Sequence, residues 1–274
     1  MNKIFRYRYY LARRTTQLLV LGGYFLANLY GWEMLKGNLS SSVLFGFIPL
    51  SDPFATLQTF LAGAVISADV LVGVAVVLFF YGVVGGRFFC SWVCPVNIIT
   101  ETAAALRRKL GLGEKDAPSL LSRQVRYWVI ALTLLLSFVF SISAFEVISP
   151  IGMAHRGIIF GFGMGWFFLV ALFFFDLFSQ KYGWCGHICP LGGFNAIVGK
   201  YSLIKISHDA EKCVHSQECF LVCPEVGVLS SVGKKSYIVT GKECIKCARC
   251  IEVCDSGAFE VSIVGIARQL KEGA

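Results

Sequence analysis

Charged residues are scarce in this chain of 274 residues. Only 15% of the residues are Asp, Glu, Lys or Arg, whereas a soluble globular domain carries about 25%. Hydrophobic residues make up 56% of the chain, and the mean hydropathy is +0.67. This composition is typical of membrane-embedded segments. The net charge of +8 is therefore interpreted as Lys and Arg gathered beside such segments, and not as a nucleic-acid-binding surface.

Several chemical signatures are also missing. The chain has four His and no Cys-x-x-Cys-His motif, which excludes haem attachment through that motif. No phosphate-binding loop follows a predicted strand, which argues against a nucleotide site. The basic N-terminal region is not followed by a small-residue cleavage site, so an uncleaved hydrophobic segment is favoured over a secretory signal.

Four hydrophobic segments are long enough to cross a bilayer, which takes about 20 residues. They are residues 16–35, 67–86, 127–145 and 158–178, and an interfacial or re-entrant helix is predicted just before the second, at residues 53–63. Most loop cations lie before the first segment or between the second and third. They are Lys3, Arg6, Arg8, Arg13, Arg14, Arg87, Arg107, Arg108, Lys109, Lys115, Arg123 and Arg126. The positive-inside rule then predicts a multi-pass protein of the inner (cytoplasmic) membrane with both termini in the cytoplasm.

The hydrophobic part of the chain repeats itself. Cys90, Cys94 and Pro95 recur as Cys185, Cys189 and Pro190, always 95 residues later, which predicts two related hairpins. The four thiols could bind a metal or cluster, form redox-active disulfides or flank a bound quinone. Packing as small hydrophobic side chains is the structural alternative.

The last 62 residues contain seven of the eleven cysteines, in the spacing of a bacterial two-cluster ferredoxin. In that fold the last cysteine of each run ligates the other cluster. The crossover gives one complete ligand set and one incomplete set, both for iron. The complete set is Cys223, Cys244, Cys247 and Cys250; the incomplete set is Cys213, Cys219 and Cys254, with Ser216 or His215 as a possible fourth ligand.

The complete set predicts a [4Fe–4S] cluster. Ser216 stands where the pattern requires a cysteine, and a hydroxyl is a harder ligand that binds iron only when deprotonated. We therefore expect the second site to hold a [3Fe–4S] cluster or a [4Fe–4S] cluster with a non-cysteine ligand. A labile or unoccupied site is the alternative.

The predicted fold joins two parts. Residues 1–200 are expected to form an all-α membrane domain with four transmembrane helices and a two-hairpin internal repeat. Residues 201–264 are expected to form a small α+β ferredoxin domain, with strands at residues 203–207, 236–240 and 259–264. Residues 265–274 are predicted to be a short tail.

The motifs FCSWVCP and WCGHICPLGG, the four hydrophobic segments and the C-terminal ferredoxin pattern together resemble the NapH family. That family is the quinol-dehydrogenase membrane subunit of periplasmic nitrate reductase systems. The resemblance implies electron transfer from membrane quinol, and a separate NapG-like polyferredoxin partner. It implies a component of a quinol dehydrogenase and not a stand-alone enzyme.

Quinol oxidation requires a proton acceptor near a membrane interface. The candidates are His155 with Arg156 on the outer side and His187 on the cytoplasmic side. A second hypothesis makes the protein a redox or metal-site assembly or maintenance factor. In that case Cys90, Cys94, Cys185 and Cys189 would reduce or metallate a client protein.

Overall fold

The structure is a computed structural model that describes residues 7–31, 35–112, 121–161 and 163–263. The predicted tail at residues 265–274 lies outside the described residues. The chain divides into two compact units. The ferredoxin unit comprises Met1–Thr16, Phe80–Val93 and Asn195–Ala274, and the helical unit comprises Gln17–Phe79 and Cys94–Phe194. The predicted domain boundaries at residues 200 and 264 stay a prediction, because compactness alone does not show which parts fold independently.

The first half of the chain contains five helices and a small sheet among the described residues. In chain order these elements are α1 (Arg8–Tyr30), β1 (Leu35–Gly37), β2 (Ser41–Leu44), β3 (Ile48–Ser51), α2 (Pro53–Leu61), α3 (Ala68–Val83), α4 (Phe88–Trp92) and α5 (Val96–Lys109).

The three strands form an antiparallel meander in which Ser41 pairs with Ser51 and Leu35 with Leu44. In the β2–β3 turn both Phe45 and Gly46 have positive φ, of 54° and 78°. Glycine adopts this conformation at Gly46 without steric cost. This sheet corrects the prediction of an all-α N-terminal part. Its strands are only three or four residues long, too short for a clear alternating pattern in the sequence.

Helix α2 begins at a defined cap. The Asp52 carboxylate accepts a hydrogen bond from the Phe54 N–H at 3.2 Å, and Pro53 occupies the first helical position, where its missing N–H costs nothing. The Phe54 ring packs against Phe145 and Phe194 at centroid distances of 5.9 and 5.4 Å. The helix predicted at residues 53–63 is therefore confirmed as a helix, packed into the core of the helical unit.

The second half of the helical unit continues with further helices and two π-helical turns. These are α6 (Val125–Phe140), α7 (Ala144–Ile148), α8 (Pro150–Phe160), α9 (Gly165–Phe174) and the turns Phe175–Ser179 and Trp184–Ile188.

The predicted continuous segment 158–178 is wrong as a single helix. Helix α8 ends at Gly161, which has φ 91° and ψ 167°, a conformation that is essentially restricted to glycine.

The other hydrophobic segments overlap α1, α3 and α6, but the predicted segment 16–35 reaches the first residue of β1, and the segment 127–145 continues beyond the end of α6 at Phe140. Of the helices in the described ranges, none is both long enough and apolar enough to span a membrane.

The ferredoxin unit contains an antiparallel sheet with strand order β5-β4-β6, formed by β4 (Ile204–His208), β5 (Tyr237–Val239) and β6 (Phe259–Ile263). Ile206, Leu229, Val239 and Phe259 form the core of the unit together with Cys219. All three predicted strands are confirmed to within a residue or two. The remaining elements are α10 (Pro190–Val198), the 3₁₀ turns Gly199–Tyr201 and Val226–Leu229, α11 (Glu218–Val222) and α12 (Arg249–Glu252).

Two glycines allow the 80–93 segment to approach the backbone near residue 199. A Cβ on Gly86 would overlap the carbonyl oxygen of Asn195, and a Cβ on Gly199 would overlap the Gly86 nitrogen. This close approach holds the segment that carries Cys90 within the ferredoxin unit.

Candidate iron–sulfur sites

The four cysteines of the predicted complete set line one cavity. Cys223 comes from the chain after α11, whereas Cys244, Cys247 and Cys250 come from the loop before and the first residues of α12. Their thiols are brought together by the apolar core, since Ile206, Leu229 and Val239 line the same cavity. The structure therefore brings together the set that the crossover rule predicts.

These thiols are held in an apolar surrounding. Burial raises the pKa of Cys223, Cys244 and Cys250, and neighbouring thiolate charges raise the pKa further. Backbone amides act in the opposite direction: the amide of Glu225 lowers the pKa of Cys223, and the amide of Lys246 lowers the pKa of Cys244. Several thiolates repel one another in a buried, apolar cavity, so they are stable there only when a cationic centre lies between them.

The incomplete set lines a second cavity of about 230 Å³. Cys213, Cys219 and Cys254 surround it together with Ser216 and His215. Burial, and then the charges of Cys213 and Cys254, raise the pKa of the Cys219 thiol. The site thus keeps three thiols and offers both predicted substitutes for the fourth.

The two cysteine loops share the same pattern of left-handed residues. His215 and Gln217 have φ of 54° and 60°, and Lys246 and Ala248 have φ of 54° and 58°. These left-handed residues flank Ser216 in one loop and Cys247 in the other. Ser216 therefore occupies the position of a ligand in a loop that is otherwise shaped like the complete one.

Both cavities suit iron–sulfur clusters better than single ions. Within the described ranges, no three His, Cys, Asp or Glu side chains converge closely enough to hold one metal ion. In a mononuclear site the ligands lie about 2 Å from a single metal ion. In a cluster each ligand binds a different iron, so the ligands surround a larger volume. Sulfur donors around an enclosed, largely apolar cavity are the ligand set of such clusters.

Sequence reasoning missed the role of Arg87, which it counted only as a loop charge. Arg87 Nη1 lies 2.7 Å from Glu225 Oε1 and 3.2 Å from Glu243 Oε2, and its side chain is 2% exposed. Burial by itself lowers the pKa of Arg87, but the charges of Glu225, Cys90 and Glu243 and the hydrogen bond to Glu225 together outweigh burial and raise the pKa. No sequence signal pairs residues that are more than 130 positions apart.

The second Cys-x-x-x-Cys-Pro motif lies in the helical unit beside α5. Cys185 Sγ lies 3.7 Å from Thr100 Oγ1, and Cys189 Sγ accepts a hydrogen bond from Gly192 N–H at 3.4 Å. Cys94 belongs to the same unit, where its carbonyl accepts a hydrogen bond from Gln17 Nε2 at 3.3 Å. Cys90 belongs to the ferredoxin unit, on α4.

Buried polar side chains fix the turn that carries Cys185 and His187. The Arg126 guanidinium donates to the Gly186 carbonyl, and the Asp176 carboxylate accepts from Trp184 N–H at 3.2 Å. His187 itself is buried, with an exposed fraction of 4%. The sequence identified His187, whereas Asp176 and Arg126 were missed because their partners lie elsewhere in the chain.

Of the two outer candidates, Arg156 lines the large cavity of the helical unit. This cavity holds about 620 Å³, and Arg156 is the one charged side chain among the described residues that line it. Pro95, from the first Cys-x-x-x-Cys-Pro motif, also lines it, with Ile98, Met153 and Trp166. A volume of 300–1,000 Å³ is typical of small-molecule sites.

His155 precedes Arg156 on α8; it is buried and packs edge-on against the Tyr24 ring at a centroid distance of 4.9 Å. Burial lowers the pKa of His155, and the charge of Arg156 lowers it further. Its Nε2 has no hydrogen-bond partner among the described residues. A neutral imidazole with a free nitrogen is suited to accept a proton.

Paired cavities lined by cysteines from two similar loops, on a three-stranded antiparallel sheet, define a ferredoxin-type iron–sulfur protein. The family model of a 4Fe-4S dicluster domain matches residues 205–255. A second family model, a 4Fe-4S binding domain, matches twice, at residues 67–113 and 159–207. The double match agrees with the internal repeat seen in the cysteine motifs.

The chain belongs to the family of ferredoxin-type proteins that includes NapH and MauN. It is 41% identical to the methylamine utilization ferredoxin-type protein MauN of Methylorubrum extorquens, over 94% of this chain and 90% of the relative. It is 41% identical to the ferredoxin-type protein NapH of Haemophilus influenzae and 36% identical to NapH of Escherichia coli, each over 93% of this chain and 90% of the relative. No solved structure matches the chain significantly. The protein is thus an iron–sulfur electron-transfer protein of this family.

Proposed function

We propose that this protein oxidises membrane quinol and passes the electrons, through its iron–sulfur clusters and a NapG-like polyferredoxin partner, toward a periplasmic nitrate reductase. The observation that carries the proposal is the combination of two cysteine-lined cavities with a large apolar cavity whose wall includes Arg156 and Pro95. Oxidation of one quinol releases two electrons and two protons. The protein must therefore accept protons near the quinol and conduct electrons away singly.

The proposed ligand sets are supported by the cavities that the thiols line. Cys223, Cys244, Cys247 and Cys250 would ligate a [4Fe–4S] cluster. Cys213, Cys219 and Cys254 would ligate a [3Fe–4S] cluster, or a [4Fe–4S] cluster whose fourth iron takes Ser216 or His215. When bound, these groups supply one-electron steps.

The 620 Å³ cavity of the helical unit is the proposed quinol site. Its apolar wall suits the aromatic ring and the isoprenoid tail of a quinol, and the Arg156 guanidinium suits the negative charge that a quinol oxygen gains when it loses its proton. His155, neutral because its pKa is lowered, is the proposed proton acceptor at Nε2. His187, buried in the second cysteine motif, is the corresponding candidate on the cytoplasmic side.

Membrane insertion is part of the proposal. It rests on the four hydrophobic segments, on the mean hydropathy of +0.67 and on the distribution of Lys and Arg along the chain. We place the protein in the inner membrane with both termini in the cytoplasm. The partners are then the bilayer, its quinol and the polyferredoxin subunit, and nucleic acid is not among them.

The test is EPR of the anaerobically purified protein before and after a reduced menaquinol analogue is added. Cluster signals that change with quinol support the proposal. Arg156→Gln should slow quinol-driven reduction about tenfold or more and leave reduction by dithionite unchanged. Lys109→Gln, which removes an exposed cation outside the cavity, is the matched control.

The assembly or maintenance hypothesis predicts another result. Clusters that dithionite reduces but quinol does not, together with thiol exchange at Cys90, Cys94, Cys185 and Cys189, would favour that function. Because a MauN and a NapH relative are equally similar, the physiological acceptor is tested in a deletion strain. Loss of nitrate respiration supports the proposed acceptor, and loss of growth on methylamine alone contradicts it.

A further inference from the structure

We propose that Arg87 and Ser91 are positioning residues for the complete cluster site. With Trp92 they form a clamp, residues 87–92, that fixes the backbone amides facing Cys223 and Cys244 and so sets the reduction potential of that cluster. The inference rests on the proposed cluster at Cys223, Cys244, Cys247 and Cys250. All the contacts involved lie within the ferredoxin unit.

The clamp donates hydrogen bonds to three backbone carbonyl oxygens of the cysteine loop. Arg87 Nη1 donates to the Glu243 carbonyl at 2.6 Å. Ser91 Oγ donates to the Ile245 carbonyl at 2.7 Å, and Trp92 Nε1 donates to the Lys246 carbonyl at 3.2 Å. The side chain of Ser91 is completely buried, so no water competes for this carbonyl.

A hydrogen bond to the C=O of a peptide group also fixes the direction of the N–H of the same peptide group, because the group is planar. The C=O of Ile245 and the N–H of Lys246 belong to one trans peptide and point in opposite directions. The backbone amide of Lys246 lowers the pKa of the Cys244 thiol, whereas the Ile245 carbonyl accepts a hydrogen bond from Ser91. Ser91 therefore fixes the orientation of the peptide whose N–H acts on a cluster ligand.

Arg87 acts on the chain segment that carries Cys223, through the side chain of Glu225. The backbone amide of Glu225 lowers the pKa of the Cys223 thiol, and the Glu225 carboxylate lies 2.7 Å from Arg87 Nη1. Glu243, the second carboxylate on Arg87, immediately precedes Cys244. One buried cation thus joins the two chain segments that must meet around the cluster.

Both effects act on reduction in the same direction. A reduced cluster carries one more negative charge, and hydrogen bonds to its sulfurs or a nearby cation stabilise that charge. Loss of either contact should lower the reduction potential. The clamp also contains Cys90, so the first thiol of the first cysteine motif lies on the same segment that positions the complete cluster.

The experiment is an EPR-monitored redox titration of the full chain, reconstituted with iron and sulfide, for wild type, Ser91→Ala, Arg87→Lys and Arg87→Gln. Ser207→Ala is the matched control, because Ser207 Oγ also donates to a backbone carbonyl, that of Glu260 at 3.3 Å, but this hydrogen bond is exposed to solvent. Ser91→Ala should shift the complete cluster to a more negative potential with unchanged iron content. Arg87→Gln should lose that cluster's signal, and Arg87→Lys should retain it at a lowered potential.

The signal of the Ser216 site serves as the internal reference. It should stay at its wild-type potential in Ser91→Ala, which a general loss of folding would not allow. The inference is overturned if Ser91→Ala behaves as Ser207→Ala does, or if both clusters shift together. A wild-type chain that takes up no iron would instead overturn the proposed function.

Discussion

At the residue scale, buried charged side chains organise this protein. Arg87, Arg107 and Arg126 are each at least 92% buried, and each donates to a backbone carbonyl, of Glu243, Leu177 and Gly186 respectively. A buried guanidinium is tolerated only when its donors are satisfied. The sequence counted these residues as loop cations, because composition does not distinguish a surface cation from one that is paired in the interior.

Asp52 provides a pH-dependent test of the helical unit. Burial raises the pKa of this α2 cap to about 7, and the nearby charge of Glu146 adds to the rise. Because the folded state holds the proton more tightly than the unfolded state, stability should fall as the pH rises from about 4 to about 7. Asn caps a helix as well as Asp does, so Asp52→Asn should raise the unfolding temperature at pH 8 and leave it unchanged at pH 4.

Thermal unfolding of the purified protein at both pH values measures this effect. Asp69→Asn, at an exposed position in the first turn of α3, is the control, and it should not raise the unfolding temperature at pH 8, because a negative charge near a helix N-terminus is favourable. If Asp52→Asn and wild type were equally stable at pH 8, ionisation of the Asp52 carboxyl would not lower the stability of the folded state, and the prediction would be wrong.

Ser216 provides the second test at this scale. Since its loop shares the pattern of left-handed residues with the loop of Cys247, Ser216→Cys should complete the ligand set without rearrangement. The oxidised three-iron EPR signal should disappear, and the iron content of the two ferredoxin sites should rise from about seven to about eight atoms per chain. Ser256→Cys, in the same cavity wall but outside the ligand position, should leave the three-iron signal in place.

At the element scale, helix ends and close approaches decide the architecture. Gly161 ends α8 and divides a hydrophobic segment that the sequence presents as continuous. Hydropathy averages over side chains and does not register a backbone φ. The break separates α8, which carries His155 and Arg156, from α9, and residues of both helices line the large cavity.

Gly86 offers a test of the close approach within the ferredoxin unit. A Cβ at this position would overlap backbone atoms of Asn195 and Gly199, which cannot rotate away as a side chain can. Gly86→Ala should therefore destabilise the unit by about 1–3 kcal/mol or more. Gly82→Ala, four residues earlier on α3, meets no atom within 4 Å and should be neutral or stabilising, since alanine favours helix by about 1 kcal/mol.

Unfolding of the two variants by denaturant, followed by circular dichroism, separates these expectations. Equal stability of Gly86→Ala and Gly82→Ala would mean that the 80–93 segment does not pack closely in solution. Loss of iron from Gly86→Ala alone would connect the approach of this segment with the complete cluster.

At the scale of the whole molecule, the proposed membrane insertion has a direct readout. With both termini in the cytoplasm, a green fluorescent protein fused to residue 274 should fluoresce, and an alkaline phosphatase fused there should be inactive. The protein should remain in the membrane fraction after an alkaline carbonate wash. Active phosphatase would reverse the proposed orientation, and release by carbonate would contradict membrane-spanning segments.

The sequence by itself determined the ferredoxin strands, the crossover sets of cysteines, the position of Ser216 and the internal repeat of the hydrophobic part. These features follow from local spacing, because ligand loops and short strands are specified by neighbouring residues. Only the tertiary structure decided that Arg87 and Ser91 grip the loop of Cys244, that Arg156 rather than His155 lines the large cavity, and that a small sheet interrupts the helices. Such contacts join residues up to about 150 positions apart, and pairing over that distance depends on burial and packing, which no local pattern encodes.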